Sequence, residues 1–496
     1  MGIPYYFYHL TKKYNNIIID SLPTDILFYA IDFNGIIHPE ANKILNNFDQ
    51  DLLFSNLWNK INYYNDTYNP NTLLICIDGV APLAKIIQQR KRRYLSIFKN
   101  KIDNININWD TNAISTGTNF MNNLDDFLLN KINLENKTNF ILNPSNISGE
   151  GEHKIFDYFK NINNNNKAII INGLDADLII LSLISGLSHI YLMRENNDNI
   201  TYVSIDNLKN ALLIELRSKW YNIDNDIDII ESYCIMCSIL GNDFIPHILT
   251  LNMKNNGLNK LIDITTKAIN INGSLVKNNQ INKDCLTFIF SIIAENEEHE
   301  LFNEVSKIIS KKPTDFTLNS QEYALKHKDN LLHDIYSNNK KWRYNYYKFL
   351  FDININNDSS LISLIVSNFI KGIYWTYNYY KKFDLDLEWF YPYNYSPTSK
   401  DISNFLKVND IHNIQNKGNY LNSDIQLLII LPIQSHHLFD FKPDIKYLSI
   451  HKLKFLYPTH FKIQTFLKNH LHDCTPILPM ININKIKQFY LQYKNK

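Results

Sequence analysis

Apolar runs of strand length that end on, or shortly before, a carboxylate recur through the first part of this chain. Asp25–Asp32 (DILFYAID) closes on Asp32, and Asn71–Asp78 (NTLLICID) closes on Asp78. Lys137–Asn143 precedes Ser148-Gly149-Glu150-Gly151-Glu152-His153-Lys154, and Lys167–Asn172 leads into Asn172-Gly173-Leu174-Asp175-Ala176-Asp177. Segments with helical spacing lie between them, at Asp51–Tyr64, Ala84–Lys99, Phe120–Ile132 and Glu152–Asn161. Strands that alternate with helices specify an α/β fold, with a mostly parallel, twisted sheet flanked by helices. Ligands in such sheets bind beyond the carboxyl ends of the strands, which is where these acids fall.

The acids carry the first chemical signal. Asp32, Asp78, Glu150, Glu152, Asp175, Asp177 and Asp243 (the last in Gly241-Asn242-Asp243-Phe244) are candidates for one site. Taken singly, a strand-end Asp serves as readily as a turn former or helix cap. Together they are harder to explain that way, since two ionised carboxylates about 4 Å apart repel by roughly 4 kcal/mol at an effective dielectric of about 20. Converging acids therefore call for cations. Oxygen ligands without His or Cys suit Mg²⁺ or Mn²⁺ rather than zinc. A pair of such ions can activate a water and steady the leaving oxygen of a phosphodiester.

A basic helix face follows Asp78. Lys85, Gln89, Arg92 and Arg93 stand at i, i+4, i+7 and i+8, so they share one side of a helix. Such a face is often merely solvated, but its place directly after Asp78 favours a terminal phosphate, which guanidinium forks grip bidentately. His38, shortly after the Asp32 turn, and Trp389, in the Pro-containing aromatic loop Glu388–Pro397, offer rings on which unpaired bases can stack. Each ring taken alone reads as core or surface filler ahead of a stacking platform.

With a net charge of +1, nucleic-acid binding must come from such local patches rather than from a global field. Five cysteines without a disulfide framework fit a reducing compartment, and Cys234-x-x-Cys237 reads as a buried apolar pair. The start shows no signal-peptide pattern, Tyr6 breaks the myristoylation pattern, and no apolar run has the length of a membrane span. The expected organisation is a nuclease region over 1–310, a polar linker over 311–335 and a second, aromatic-rich region over 336–496.

Several motifs then occur in a fixed order. They are Met1-Gly2-Ile3-Pro4, Asp32-Phe33-Asn34-Gly35-Ile36-Ile37-His38, and Asp78-Gly79-Val80-Ala81-Pro82 with Gln88-Gln89-Arg90-Lys91-Arg92-Arg93. Ile114-Ser115-Thr116-Gly117-Thr118, Gly149–Lys154, Gly173–Leu178 and Gly241–His247 follow. Gly372–Pro397, Leu431-Pro432 and Tyr457-Pro458 complete the series. This series resembles the XRN-type 5′→3′ exoribonucleases, a branch of the flap-endonuclease/PIN-like superfamily.

The resemblance implies a PIN/FEN-like sheet, with a second mixed, largely helical region packed around the active site. It implies that the seven acids hold two Mg²⁺ or Mn²⁺ ions and that Lys85, Gln89, Arg92 and Arg93 form a 5′-monophosphate pocket. His38 and Trp389 would sandwich the leading bases. The implied reaction is hydrolysis of single-stranded, 5′-monophosphorylated RNA to nucleoside 5′-monophosphates, in RNA decay. The implied protein is a monomer of the cytoplasm or nucleus with no membrane partner, and its protein partners are left open.

Leu83 and Lys91 depart from the pattern, which has a polar residue and a glycine there. The chain stops near the end of the second region, so a long C-terminal extension is not expected. A flap-type 5′ nuclease acting on DNA is the alternative, and an inactive RNA-binding scaffold is a third reading that the retention of all seven acids disfavours.

Overall fold

Continuous apolar runs along the central strands dictate a sheet covered on both faces. In the computed structural model the main sheet comprises β1 (Ile18–Ile19), β2 (Ile26–Asp32), β3 (Thr72–Cys76), β4 (Phe140–Asn143), β5 (Ala168–Asn172), β6 (Ile190–Asn196) and β7 (Asn199–Ser204). Their spatial order is β1-β7-β6-β5-β2-β3-β4. Strands β6, β5, β2, β3 and β4 run parallel to their neighbours, whereas β7 and β1 add an antiparallel edge. The structure describes residues 3, 5–160, 162, 164, 166–173, 175–196, 199–223, 225–314, 318–337, 339–356, 359–410, 418–439 and 453–494. Met1, Gly2 and Pro4 of the opening motif, and Leu174, lie outside the described residues.

The helices of the first part are α1 (Tyr6–Lys13), α2 (Asn34–Lys43), α3 (Gln50–Tyr68), α4 (Leu83–Ile102), α5 (Asn119–Leu134), α6 (Gly151–Phe159) and α7 (Asp177–Ile184). Tyr29, Ile31, Leu73, Ile75 and Ile170 point to one face, where Leu53, Leu57 and Ile61 of α3 and Leu124 and Leu128 of α5 cover them. Phe28, Ala30, Leu74, Ile169 and Ile171 point to the other, under Ile155 and Phe159 of α6 and Leu178 of α7. A period of two with both sets buried is the signature of a parallel sheet between helical layers. From β2 the chain steps outward through β3 and β4, then returns to place β5 and β6 on the other side of β2. That reversal opens a crevice at the carboxyl ends of β2 and β5.

Next come α8 (Ile205–Arg217), α9 (Asp226–Ser238), α10 (Gly257–Asn272) and α11 (Lys283–Ser310). They are followed by α12 (Tyr323–Lys326), α13 (Asn330–Ser337), α14 (Trp342–Phe351), α15 (Ser359–Lys381), α16 (Ser399–Val408), α17 (Ser423–Ile430) and α18 (Ile483–Lys494). The second region is thus largely helical, as expected, and it shares the core of the first. Helix α15 packs on α7 and α9, and α17 packs on α4. Within 311–335, Leu325, Leu331, Leu332 and Ile335 are buried in that core too. Cys234 and Cys237 are free and buried on α9, in keeping with their apolar reading. Among the described residues no helix is long and apolar enough to cross a membrane.

The structure corrects the local reading at Asn34-Gly35. This dipeptide resembles a turn, but α2 begins there, and His38 is a helical residue. The Asn34 side chain is engaged elsewhere, its Oδ1 accepting the Asp78 N–H at 3.0 Å.

Arg90 ties the two regions together. Its buried guanidinium donates to the Leu456 carbonyl at 2.6 Å and the Pro479 carbonyl at 2.8 Å. Arg90→Met keeps the apolar stem but strands both acceptors. It is expected to lower unfolding free energy by about 2–3 kcal/mol, read as a reduced midpoint in urea unfolding; an unchanged midpoint would show that the strap carries no stability.

Candidate active site

Six of the acids lie near the end of a strand or the start of a helix, and Asp243 lies in the loop that follows α9. Asp32 is the last residue of β2, and Asp78 follows β3 closely. The Asp78 Oδ1 accepts the Gly151 N–H at 2.7 Å, and its carbonyl accepts the Thr116 hydroxyl at 2.8 Å. The Gly79 N–H donates to the Gly149 carbonyl and the Gly149 N–H to the Val80 carbonyl, each at 2.8 Å, so the turns after β3 and before α6 clasp each other. Gly149 has φ +108°, a left-handed conformation that suits glycine. Lys154 reinforces the clasp, donating to the Ile77 carbonyl at 2.7 Å and the Pro144 carbonyl at 2.9 Å.

Glu150 stands at the N-cap position of α6, its carboxylate turned to other partners, Glu152 lies in the first turn, and Asp177 opens α7. Helix N-termini favour negative charge, so all three sit where the backbone partly compensates them. Gly151 lets the turns meet: a Cβ there would fall 2.7 Å from Asp32 Oδ1, 3.0 Å from the Cys76 carbonyl and 3.4 Å from Asp78 Oδ1.

The acids share one electrostatic environment. Burial pushes the Asp32 carboxyl well up, and Asp78 and Asp175 push it further. Burial and then Asp177 do the same to Glu152. Burial, with Asp243 next, raises Asp177 to about 7. Lys85 is the counter-charge. Its buried ammonium lies 2.6 Å from Glu150 Oε2 and 2.8 Å from Asp243 Oδ2. Burial opposes the charge of Lys85, but Asp243 and Glu150 override it and hold the lysine protonated. Burial likewise pushes Asp243 up, and opposing charges led by Lys85 bring it down to about 2.

One ammonium does not satisfy the set. Among the described residues, both carboxylate oxygens of Glu152 and Oδ2 of Asp177 are buried without a hydrogen-bond partner. Among the described residues, no three Asp, Glu, His or Cys side chains stand ready-made around one point as metal ligands. The donor chemistry nevertheless fits a hard divalent cation, being all oxygen, strongly anionic and partly orphaned.

The expected phosphate face is split. Lys85 is drawn into the acids, while Gln89, Arg92 and Arg93 continue along α4. Arg93 donates to Asn112 Oδ1 at 2.8 Å, and burial, then Arg92, lowers its pKa to about 10. Arg92 is exposed. The His38 side chain is exposed, and desolvation by its surroundings, then Arg92 and Arg93, lowers its pKa to about 4. His38 therefore lies with the guanidiniums.

Trp389 does not stand open beside them. It is 9% exposed, and its ring centroid is 5.3 Å from that of Trp375. The bare Cα of Gly372 makes room for it, since a Cβ there would lie 2.9 Å from the indole. The loop aromatic is thus packed as core, which leaves little ring surface for a base.

Two residues that sequence reasoning missed touch the acids. The Tyr379 hydroxyl donates to Glu150, and the Tyr380 hydroxyl donates to Asp177 at 2.8 Å. The only sequence trace was the density of aromatics in Gly372–Lys381.

Comparison with known proteins agrees with this architecture. The description "XRN 5′-3′ exonuclease N-terminus" matches residues 1–196, and "Xrn1 helical domain" matches residues 221–341 and 319–488. The 5′-3′ exoribonuclease 1 of Homo sapiens is 23% identical, over 98% of this chain and 34% of the human one. The 5′-3′ exoribonuclease 2 of Kluyveromyces lactis is 28% identical, over 53% of this chain and 36% of that protein. The chain spans little more than a third of the length of these curated relatives. A bacteriophage T5 flap endonuclease crystallised with DNA and metal ions aligns at 12% identity and a TM-score of 0.29, over 55% of this chain and 86% of the other. That score is too low to bear on the fold, which rests on the strand order itself.

Gly151→Ala tests the close approach of the turns. The added methyl meets two carboxylates and a backbone carbonyl, so overpacking of about 1–3 kcal/mol is expected, seen as a lowered thermal midpoint in EDTA. A wild-type midpoint would show that the turns are looser than drawn.

Proposed function

Because the chain belongs to the XRN 5′-3′ exonuclease family, we propose that it hydrolyses single-stranded RNA from a 5′-monophosphorylated end and releases nucleoside 5′-monophosphates. The observation that carries this reading is the gathering of seven acids at the sheet's crevice, with buried oxygens left unpaired, beside the guanidiniums of α4. Asp32, Asp78, Glu150, Glu152, Asp175, Asp177 and Asp243 would hold Mg²⁺ or Mn²⁺, as two ions. Bound there, such ions lower the pKa of a water and stabilise charge on the leaving oxygen.

The chain's own residues supply recognition. Arg92 and Arg93 grip the terminal phosphate, and Gln89 adds an amide from the same face. The Asn112 contact fixes one edge of the Arg93 guanidinium and leaves its other donors for phosphate oxygens. His38, neutral beside these cations, offers a ring to the first base without adding charge. Lys85 is suited to follow charge, since it pairs with Glu150 and Asp243 and lies within reach of a phosphate that enters the site.

The test is digestion of one unstructured RNA with a 5′-monophosphate, 5′-triphosphate or 5′-hydroxyl, beside matching DNA, in Mg²⁺ and in EDTA. Loss of the monophosphate RNA alone, in Mg²⁺ alone, with mononucleotides as product, is expected. Preference for DNA would replace this reading with the flap-type nuclease. Asp175→Asn should abolish turnover while preserving the thermal midpoint in EDTA; retained activity would remove Asp175 from the site.

Arg93→Ala gives a separate expectation. Loss of a charge-assisted grip should cut the preference for monophosphate over hydroxyl ends by about 10–100-fold, read as a ratio of kcat/KM values. An unchanged ratio would exclude Arg93 from end recognition.

A further inference from the structure

Helix α15 sends two consecutive tyrosines into the acid cluster. Tyr379 donates to Glu150 Oε1, and Tyr380 donates to Asp177 Oδ1 at 2.8 Å. Neighbouring residues on a helix diverge by about 100°, which is how adjacent hydroxyls reach carboxylates on two different elements, α6 and α7. Both rings are buried. The Tyr379 ring is wedged between His153, at 3.8 Å, and Trp375, at 5.0 Å and nearly parallel, with Phe244 edge-on at 4.9 Å. Its hydroxyl therefore has no freedom to follow the carboxylate; the carboxylate must follow it.

The division of oxygens gives the arrangement its meaning. Each tyrosine occupies one oxygen of its acid and leaves the other for something else. Glu150 Oε2 faces the Lys85 ammonium, and Asp177 Oδ2 has no hydrogen-bond partner among the described residues. If the tyrosines only filled space, phenylalanines would pack as well and would not deplete the oxygens selectively. Fixing one oxygen of an acid so that the other points at a cation is what outer hydrogen-bond partners of metal ligands do.

We propose that Tyr379 and Tyr380 are positioning residues that set Glu150 and Asp177 for one-oxygen ligation of a divalent cation. The metal site is then completed by the second region, not by the sheet alone. This rests on the metal reading of the acids given above.

The experiment is Mn²⁺ titration by calorimetry of the metal-free full chain without RNA, for wild type, Y379F, Y380F, E150Q and Y379F/E150Q. The thermal midpoint in EDTA reports the fold separately. In Y379F and Y380F the Mn²⁺ Kd is expected to rise roughly 10–100-fold, as outer-partner losses do. Half-saturating Mg²⁺ for RNA turnover should rise in parallel, with kcat at saturating Mg²⁺ recovering towards wild type. Because Tyr379 acts through Glu150, Y379F should add nothing further in the E150Q background.

Wild-type Mn²⁺ affinity in both tyrosine variants would overturn the proposal, as would equal weakening by Y379F with and without Glu150. A wild-type chain that binds no Mn²⁺ would remove the metal reading itself, a distinct result. Should Y380F fail to fold, the Y379F and E150Q cycle decides.

Discussion

Glu152 and Asp177 hold buried oxygens with no hydrogen-bond partner among the described residues, while Glu150 and Asp243 share the ammonium of Lys85. Mutual repulsion among these acids opposes the closure of the whole sheet end. The fold answers it locally. Two helix N-termini face the acids, the Gly151 N–H bonds Asp78, and tyrosines from a distant helix take up one oxygen each. Each of these devices fixes a carboxylate without discharging it. Replacing buried acids by well-packed apolar residues often stabilises a fold; here the acids are kept, and hydrogen bonds fix the direction of Asp78, Glu150 and Asp177.

Holding such a set together explains why the two regions share a core. Helix α4 starts beside the aromatic loop, where the Leu83 N–H donates to the Leu387 carbonyl at 2.8 Å. It carries Lys85 to the acids and is strapped through Arg90 to the chain around Leu456 and Pro479. Helix α17 covers its apolar side, with Gln426 Oε1 accepting the Ala81 N–H at 3.0 Å. The turn that presents Asp78 is therefore fixed on one side by the sheet and on the other by residues hundreds of positions later. Burying this turn under the second region also lowers the local dielectric, which strengthens every charge interaction inside it.

The sheet was legible because its signal is local. Runs such as Ile26–Asp32 and Ala168–Asn172 are rich in β-branched residues, buried on both faces and closed by polar turns, and the structure ends each close to where the apolar run ends. The helix at Asn34 was not legible from the local Asn-Gly pair, and the partner of the Asn34 side chain, the Asp78 N–H, is a tertiary one. Lys85 shows the same limit. Helical spacing grouped it with Gln89, Arg92 and Arg93, but spacing along α4 says nothing about which residue of that face meets Glu150. Tyr379 and Tyr380 lie 229 and 203 positions from their acids, beyond any periodicity. The resemblance implied a stacking role for Trp389, whereas the ring by itself read as core or surface filler; the glycine at 372, seventeen positions earlier, is what admits it to the core.

On the proposed function, the geometry of α4 bears on where the RNA is cut. From Lys85, among the acids, to Arg92 and Arg93, the helix advances by about 10 Å at its regular rise. A helix anchored at Leu83 and at Arg90 cannot shorten that interval. The distance from the gripped end to the metal-site acids is then a constant of the fold rather than a property of the RNA sequence. A fixed interval between end recognition and hydrolysis is what a nuclease needs to remove units of one size from any strand. It needs no reading of base identity, in keeping with a recognition surface made of cations and a ring rather than of groups that match base edges.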